Sequence, residues 1–310
     1  MLCLLAAAPA ATAAPPESKT LLGVFGNADR FQQLTGQRST VRHAIIGWDQ
    51  GRTWGKPLPR LLERLRPVPM LGFGTSKAWP NKREAITPGG IAAGKGDAFL
   101  VALNRAIHGF GRRVYLRPLA EMNAHWNVYS AFDRNGSPRG RAYSTATFRK
   151  AFARISLIAR GGPDVSASLR RLGLPPASAT LASNPELRVI WNPQGYGAPN
   201  IRANSAQAYY PGDRYVDVVG NDLYHQGSKA EWKAAEALYR AHPTKPYAFP
   251  EWGLWAVDQP SFVDRMARFV RTHPRVELIA YFDSRPGSTW DLASKPRSRA
   301  AYRRLIARLR

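Results

Sequence analysis

The sequence predicts a single (β/α)8 barrel, in which eight parallel strands form a closed barrel surrounded by helices. Three observations favour this fold class. Short β-branched and aromatic runs alternate with amphipathic helical stretches, as βα units around a parallel sheet do. Eight such runs occur over about 290 residues, close to the usual size of the barrel. The chain has 310 residues, of which 44% are hydrophobic, so it can bury a complete core.

An open, doubly wound sheet is the alternative architecture. No glycine-rich phosphate loop follows the first predicted strand, so nucleotide binding has little support. We therefore expect residues 15–310 to form one barrel domain, without internal repeats or a membrane-spanning segment.

The eight predicted strands are short runs rich in Val, Leu, Ile, Tyr and Phe, bounded by turn residues. In chain order they cover residues 21–25, 43–47, 68–72, 113–116, 187–191, 215–220, 247–249 and 276–282.

The predicted helices lie between these strands. Residues 58–65 carry leucines at positions 58, 61, 62 and 65, and this i, i+3, i+4, i+7 spacing defines one buried face. The same periodicity marks residues 97–110, 148–159, 229–241, 261–272 and 299–309. Residues 161–185 are rich in Gly, Pro, Ser and Ala, and we interpret them as a loop insertion within the barrel.

Residues 1–14 differ in composition from the rest of the chain. They combine an apolar run with small residues and a plausible cleavage site at residues 11–13, which predicts a signal peptide and a secreted protein. The basic start of such a peptide is missing, so we expect the segment to be incomplete or wrongly started. A disordered Ala/Pro tail is the alternative. The single cysteine, Cys3, lies here, so a mature chain would contain no disulfide or thiolate site.

The net charge of +24 comes from 45 Lys and Arg against 21 Asp and Glu. Such a field attracts polyanions, and non-specific polyanion contact is one predicted partnership. No helix-turn-helix, RRM or zinc-finger pattern accompanies it, so a solvated basic surface is the favoured interpretation. Several arginines fall on the predicted outer faces of helices: Arg60, Arg64, Arg66, Arg149, Arg154, Arg265, Arg268, Arg303, Arg304 and Arg308.

Two glutamates follow apolar strands and precede aromatic-rich loops. Glu121 comes after the fourth predicted strand, and Glu251 comes after the seventh. Because reactive groups of this barrel gather at the carboxyl ends of its strands, we expect the two carboxyls to face each other, about 5–5.5 Å apart. Such a pair is what retaining cleavage of a glycosidic bond requires: one group donates a proton and the other attacks the sugar. No His/Asp cluster has metal-ligand spacing, so we expect neither a metal nor a cofactor.

Aromatic and polar residues near the predicted strand ends are the candidate substrate contacts. Nine tryptophans, several of them in strand-end loops, favour a carbohydrate cleft, although core packing is as common a role for any one of them. The candidate set is Arg117, Asn123, Trp126, Trp191, Tyr224, Trp255 and Trp290.

Four segments together resemble glycoside hydrolase family 26, the β-mannanase family. They are residues 117–126 (RPLAEMNAHW), 209–224 (YYPGDRYVDVVGNDLY), 245–253 (KPYAFPEWG) and 290–292 (WDL), and their order agrees over nearly the whole chain beyond residue 14. The resemblance implies a (β/α)8 fold and retaining hydrolysis of a β-mannan or related β-glycan.

The resemblance also implies roles for single residues. Glu121 would be the acid/base and Glu251 the nucleophile, with Tyr224 hydrogen-bonded to the nucleophile. Trp126 and Trp290 would stack on sugar rings, and Arg117 would be a buried cation beside the carboxylates.

One position departs from the family pattern. Ala120 stands where the family has a histidine before the acid/base glutamate, which puts the preference for mannan in doubt; His125 and His225 are candidates to compensate.

Two other functions stay open from the sequence. The chain could be a secreted glycan-binding barrel with a decayed site, or a basic protein that binds polyanions. Glu121 could also form a structural ion pair with Arg117, four residues earlier.

Overall fold

The computed structural model describes residues 20–53, 57–78, 83–227 and 229–309. The predicted signal peptide and Cys3 lie outside these residues. Nine strands are present: β1 (Leu21–Phe25), β2 (Val41–Ile46), β3 (Val68–Phe73), β4 (Val114–Pro118), β5 (Leu187–Trp191), β6 (Val218–Gly220), β7 (Leu223–Gln226), β8 (Tyr247–Trp255) and β9 (Val276–Phe282).

The strands form a closed parallel barrel, so the predicted fold class is confirmed. The hydrogen-bonded order is β6-β5-β4-β3-β2-β1-β9-β8, and a further pairing of β6 with β8 closes the ring. All pairings between these strands are parallel. Strand β7 lies outside the ring of eight and pairs only with the second half of β8.

Helices cover the outside of the barrel. They are α1 (Ala28–Thr35), α2 (Gln50–Thr53), α3 (Leu58–Arg64), α4 (Pro88–Ala92), α5 (Asp97–Phe110), α6 (Thr145–Arg160), α7 (Val165–Arg171), α8 (Trp232–Ala241), α9 (Pro260–Thr272) and α10 (Pro296–Leu305). None of them is long and apolar enough to cross a membrane.

Alternation along the strands separates two cores. Side chains of one parity fill the barrel interior: Val41, Met70, Tyr115, Ile190, Val218, Ala248, Leu278 and Ala280. Side chains of the other parity pack outward against the helices in a much larger cluster, which includes Val24, Leu71, Val189 and Phe249. The strand direction therefore decides which residues can reach the lumen.

An irregularity in β8 changes this parity. Phe249 pairs with Ile279 and Trp252 pairs with Tyr281, so β8 has one more residue than β9 between these two pairs. Phe249 and Trp252 both point outward although three positions separate them. The extra residue forms a β-bulge at Pro250 and Glu251. The bulge turns the Glu251 side chain from the outer face into the barrel.

Three predicted features are wrong in detail. The sixth strand is shorter than residues 215–220, because Asp213–Tyr215 forms a 3-10 turn, and β7 was not predicted. Residues 161–185 are not only loop, since they contain α7. Arg154 is fully buried instead of lying on an outer face: its guanidinium bonds both Asp97 oxygens, at 2.8 and 2.5 Å.

Candidate active site

The carboxyl end of β4 supplies two charged groups. Arg117 belongs to the strand and points into the barrel, whereas Glu121 follows it in a tight turn. Leu119 and Glu121 both adopt left-handed backbone conformations, with φ of 50° and 55°. Such conformations cost non-glycine residues roughly 1–3 kcal/mol each and cluster at functional sites. A backbone hydrogen bond from Glu121 N to Asn192 O, 2.6 Å long, fixes the turn against β5.

Glu251 is held at the β8 bulge by two donors. Its Oε1 accepts a hydrogen bond from Arg117 Nη1 at 2.5 Å, and its Oε2 accepts one from the Tyr224 hydroxyl at 2.7 Å. Burial and the Glu251 charge raise the pKa of Tyr224 well above its usual value, so the phenol remains a donor. Both bonds favour an ionised, fixed Glu251.

Arg117 has a second acidic partner. Its Nη2 donates to Asp222, one of the two residues between β6 and β7, and its Nε donates to Asn192 Oδ1 at 3.1 Å. Burial alone would lower the pKa of Arg117, but the charges of Asp222 and Glu251 raise it above the normal value. The cation is therefore permanent. The structure shows no ion pair between Arg117 and Glu121, so the predicted alternative role of Glu121 is wrong.

Glu121 is held by residues other than Arg117. Its Oε2 accepts a hydrogen bond from Trp126 Nε1 at 2.7 Å, and its Oε1 accepts one from Gln194 Nε2. Burial raises the pKa of Glu121, and the charge of Glu251 raises it further; the Trp126 bond opposes this shift in part. The two glutamates thus have the different environments that an acid and a nucleophile need.

Two cavities meet at Glu121 and Trp126. The smaller, of about 280 Å³, is lined by both glutamates, Arg117, Ala120 and mainly apolar residues. The larger, of about 560 Å³, is lined by Glu121, Trp126, Tyr224 and two exposed aromatics, Tyr196 and Trp255. Together they form a cleft across the carboxyl ends of the strands, with the acid candidate at its centre.

Comparison with known proteins agrees with this geometry. The family model described as glycosyl hydrolase family 26 matches residues 189–245, which run from β5 through α8 and include Asp222 and Tyr224. Over this segment the chain is similar to glycoside hydrolase family 26.

One curated relative is Endoglucanase H of Acetivibrio thermocellus. It is 23% identical over 291 residues, which cover 89% of this chain and 28% of that protein. The chain therefore spans less than a third of the length of this relative.

Solved structures share the barrel. A mannanase of Bacillus subtilis is 18% identical, with a TM-score of 0.60 over 94% of this chain and 87% of that one. The family 26 domain of an endo-β-mannanase/endo-β-glucanase from Prevotella bryantii is 13% identical, with a TM-score of 0.60 over 93% and 89% of the two chains. At these identities the similarity establishes the fold.

Within the barrel, several candidates from the sequence come together. Glu121, Glu251 and Arg117 line the smaller cavity, and Trp126 lines both cavities. Tyr224 and Trp255 line the larger cavity as well.

Three candidates line neither cavity, and for the fully buried Trp191 and Asn123 the predicted substrate contact is wrong. Trp191 is fully buried and packs outward against Tyr210, because alternation along β5 places residues 190 and 192 in the lumen. Asn123 is buried and bonds Gln194 N and Gln194 O, so it fixes the loop after β5. Trp290 lines neither cavity and packs against Trp255, with ring centroids 5.0 Å apart.

No histidine takes the place left by Ala120, which lines the smaller cavity. His125 packs edge-on against Trp126, and His225 packs against Phe262; neither lines either cavity. His43 is buried inside the barrel, where burial and the Arg117 charge lower its pKa well below the usual range. The cleft is therefore lined by carboxyls, an arginine and aromatic side chains, without a histidine.

Three residues of the cleft are not in the candidate set drawn from the sequence. Gln194 bonds Glu121 directly, Tyr196 forms a wall of the larger cavity, and Asp222 bonds Arg117. Asp222 stands within the segment that resembles the family, and its position just after a strand was a usable signal. Gln194 and Tyr196 belong to a loop without periodicity, so no pattern marked them. Among the described residues, no group of three or more His, Cys, Asp or Glu side chains could hold a metal ion.

Proposed function

We propose that this chain is a retaining glycoside hydrolase that cleaves a β-linked polysaccharide by double displacement, with Glu251 as nucleophile and Glu121 as acid/base. The observation that carries the proposal is the contrast between two carboxyls that line one cavity. Glu251 accepts bonds from a permanent cation and a phenol, whereas burial and Glu251 itself raise the pKa of Glu121.

In the first step, a Glu251 oxygen attacks the anomeric carbon while the bond from that carbon to the leaving oxygen breaks. Glu121 transfers its proton to the leaving oxygen, and a glycosyl ester on Glu251 forms. In the second step, Glu121 takes a proton from water, whose oxygen attacks the same carbon and releases Glu251. Two inversions give net retention.

We infer the placement of the two halves of the substrate from the residues that line the two cavities. The nucleophile lines only the smaller cavity, so this cavity holds the sugar that is attacked. The larger cavity shares Glu121 but lacks Glu251, and it holds the leaving portion of the chain. Its exposed Tyr196 and Trp255 offer apolar ring faces on which sugars stack.

The names of the relatives support a proposal for the substrate class. The names of the solved neighbours mention mannanase activity, and the curated relative is an endoglucanase. We propose a β-mannan or a related β-glycan as the substrate.

The sequence of residues 1–14 supports export of the protein. N-terminal sequencing of protein recovered from the culture medium of a host checks this, and a chain kept inside the cell with residue 1 intact would refute it.

The test of the activity is a reducing-sugar screen over mannan, mixed-linkage glucan, cellulose and xylan, with wild type and Glu251→Ala assayed together. We expect wild type to release reducing ends from at least one β-glycan and the variant to release none. Proton NMR of the first product should show the anomer of the cleaved linkage. Equal activity of the variant, or the opposite anomer, would refute the assignment. Tight oligosaccharide binding without hydrolysis would identify a glycan-binding protein instead.

A further inference from the structure

Two buried carboxyls, Asp222 and Glu251, and the half-buried carboxyl of Glu121 surround a single guanidinium in this site. Asp222 and Glu251 both bond Arg117, and Glu121 lies beside Asp222. With all three acids ionised, three negative charges would oppose one positive charge in a buried region. Carboxylates at such close range cannot all ionise, and one of them retains a proton. The structure indicates where this proton lies.

Glu251 does not hold it. Its two oxygens accept hydrogen bonds from Arg117 and from the Tyr224 hydroxyl, and both bonds favour the ionised form. The extra proton therefore belongs to Glu121 and Asp222.

The contact between Asp222 and Glu121 itself requires a proton. Asp222 Oδ2 accepts from Arg117, but the buried Oδ1 has no N–H or O–H donor among the described residues. The Glu121 carboxyl lines the same cavity as Asp222, and the two side chains affect each other's pKa. Two ionised carboxylates repel each other and cannot form a hydrogen bond, whereas a carboxylic acid and a carboxylate form a strong one.

We propose that Asp222 is a positioning residue that shares one proton with Glu121, so that the pair holds the proton that Glu121 gives to the leaving oxygen. This inference rests on the proposed function for its role in catalysis. When the leaving oxygen takes the proton from Glu121, the pair becomes doubly ionised, and Arg117 stabilises the Asp222 charge. When water attacks, Glu121 takes a proton back, and the shared hydrogen bond forms again.

Other titratable groups around the pair agree with this account. Burial raises the pKa of Asp222 well above its usual value, and the Arg117 charge opposes this shift only in part. Burial likewise raises the pKa of Tyr129 and of Tyr224, so both phenols stay neutral. His43 is neutral as well, because burial lowers its pKa. The groups that exchange charge near Glu121 are therefore Asp222 and Glu251.

An experiment independent of activity tests the shared proton. Protein labelled with carboxyl-13C Glu and Asp is titrated by NMR as wild type, Asp222→Asn and Glu121→Gln. We expect wild type to retain a protonated carboxyl at neutral pH, and each variant to lose that signal or to titrate at least about one pH unit lower, the coupling at which two groups titrate as a pair. A wild type with every carboxyl ionised at neutral pH, or an unchanged signal in Asp222→Asn, overturns the proposal.

Activity then tests the catalytic role. The alkaline limb of the kcat/KM profile should move to lower pH in Asp222→Asn by at least about one unit, and Asp222→Glu should move it back toward wild type. Asp283→Asn is the matched control, because Asp283 is also a buried strand-end carboxyl bonded to an arginine, Arg30, at 2.8 Å. The alkaline limb of the kcat/KM profile of Asp283→Asn should stay at the wild-type pH.

A purely structural role of Asp222 would lower the rate at every pH without moving the limb, and that result overturns the proposal. A wild type that hydrolyses no glycan would refute the proposed function alone, because the NMR titration still reports the shared proton.

Discussion

Replacing Trp126 with phenylalanine tests how the acid Glu121 is tuned. Trp126 Nε1 donates a hydrogen bond of 2.7 Å to Glu121 Oε2, and this bond lowers a pKa that burial raises. Phenylalanine keeps an aromatic face but removes the donor. A hydrogen bond to a charged group contributes about 1.5–3 kcal/mol. Since 1.36 kcal/mol corresponds to one pKa unit, the pKa of Glu121 should rise by about 1–2 units.

The sign of the effect on activity follows from the role of the acid. In the proposed mechanism Glu121 must be protonated to act, so activity is lost as pH rises through its pKa. A higher pKa moves the alkaline limb of kcat/KM to higher pH, opposite to the shift expected for Asp222→Asn. The assay is initial-rate hydrolysis of the glycan found in the screen, from about pH 4 to about pH 9.

The matched control is Trp255→Phe, because Trp255 lines the same larger cavity while the side-chain bonds to Glu121 come from Trp126 and Gln194. It should change KM and leave the limb in place. An unmoved limb in Trp126→Phe, or a limb that moves to lower pH, would show that the indole does not tune the acid.

Three further predictions concern rate and stability. Tyr224→Phe removes the 2.7 Å bond to Glu251 and should lower kcat/KM roughly 10- to 100-fold with little change in thermal unfolding; an unchanged rate would contradict this role. Arg154→Ala leaves a buried acid unpaired and should lower the free energy of unfolding in urea by about 3–5 kcal/mol, whereas exposed Arg268→Ala should change it by less than about 0.5 kcal/mol; equal losses would contradict the burial argument. Glu121→Gln should raise the unfolding temperature at pH 7, because a carboxyl whose folded pKa is raised destabilises the fold as pH rises. The gain in unfolding temperature should shrink toward pH 4. A lower unfolding temperature of the variant at pH 7 would refute this prediction.

The sequence was sufficient to predict the barrel and to bring the two glutamates to one cavity, for physical reasons. Short apolar strands at βα spacing have few alternative arrangements, and strand ends of a parallel barrel meet at one face. Glu121 and Glu251 were recognisable because each follows such a strand. The two glutamates line one cavity because both side chains face into the barrel. For Glu251 this depends on the bulge at Pro250, and strict alternation from Ala248 would have placed its side chain outside.

The errors have physical causes as well. Trp191 was assigned to the cleft because it ends a strand, but parity turns it outward. Arg154 was assigned to the surface by helical periodicity, which fails in α6 because residues 151–159 are all buried there. Gln194 belongs to a loop whose path is set by contacts with Asn123, and such long-range contacts leave no local pattern.

The excess of acid over base around Arg117 also determines which sugars can enter. One guanidinium faces Glu121, Asp222 and Glu251, so even with one shared proton the lumen keeps a net negative charge. A uronic acid would bring a further anion into a poorly hydrated space and be repelled, whereas an amino sugar or a protonated iminosugar would be attracted. Under the proposed mechanism, the field that would stabilise a cationic sugar during cleavage would therefore also disfavour acidic glycans.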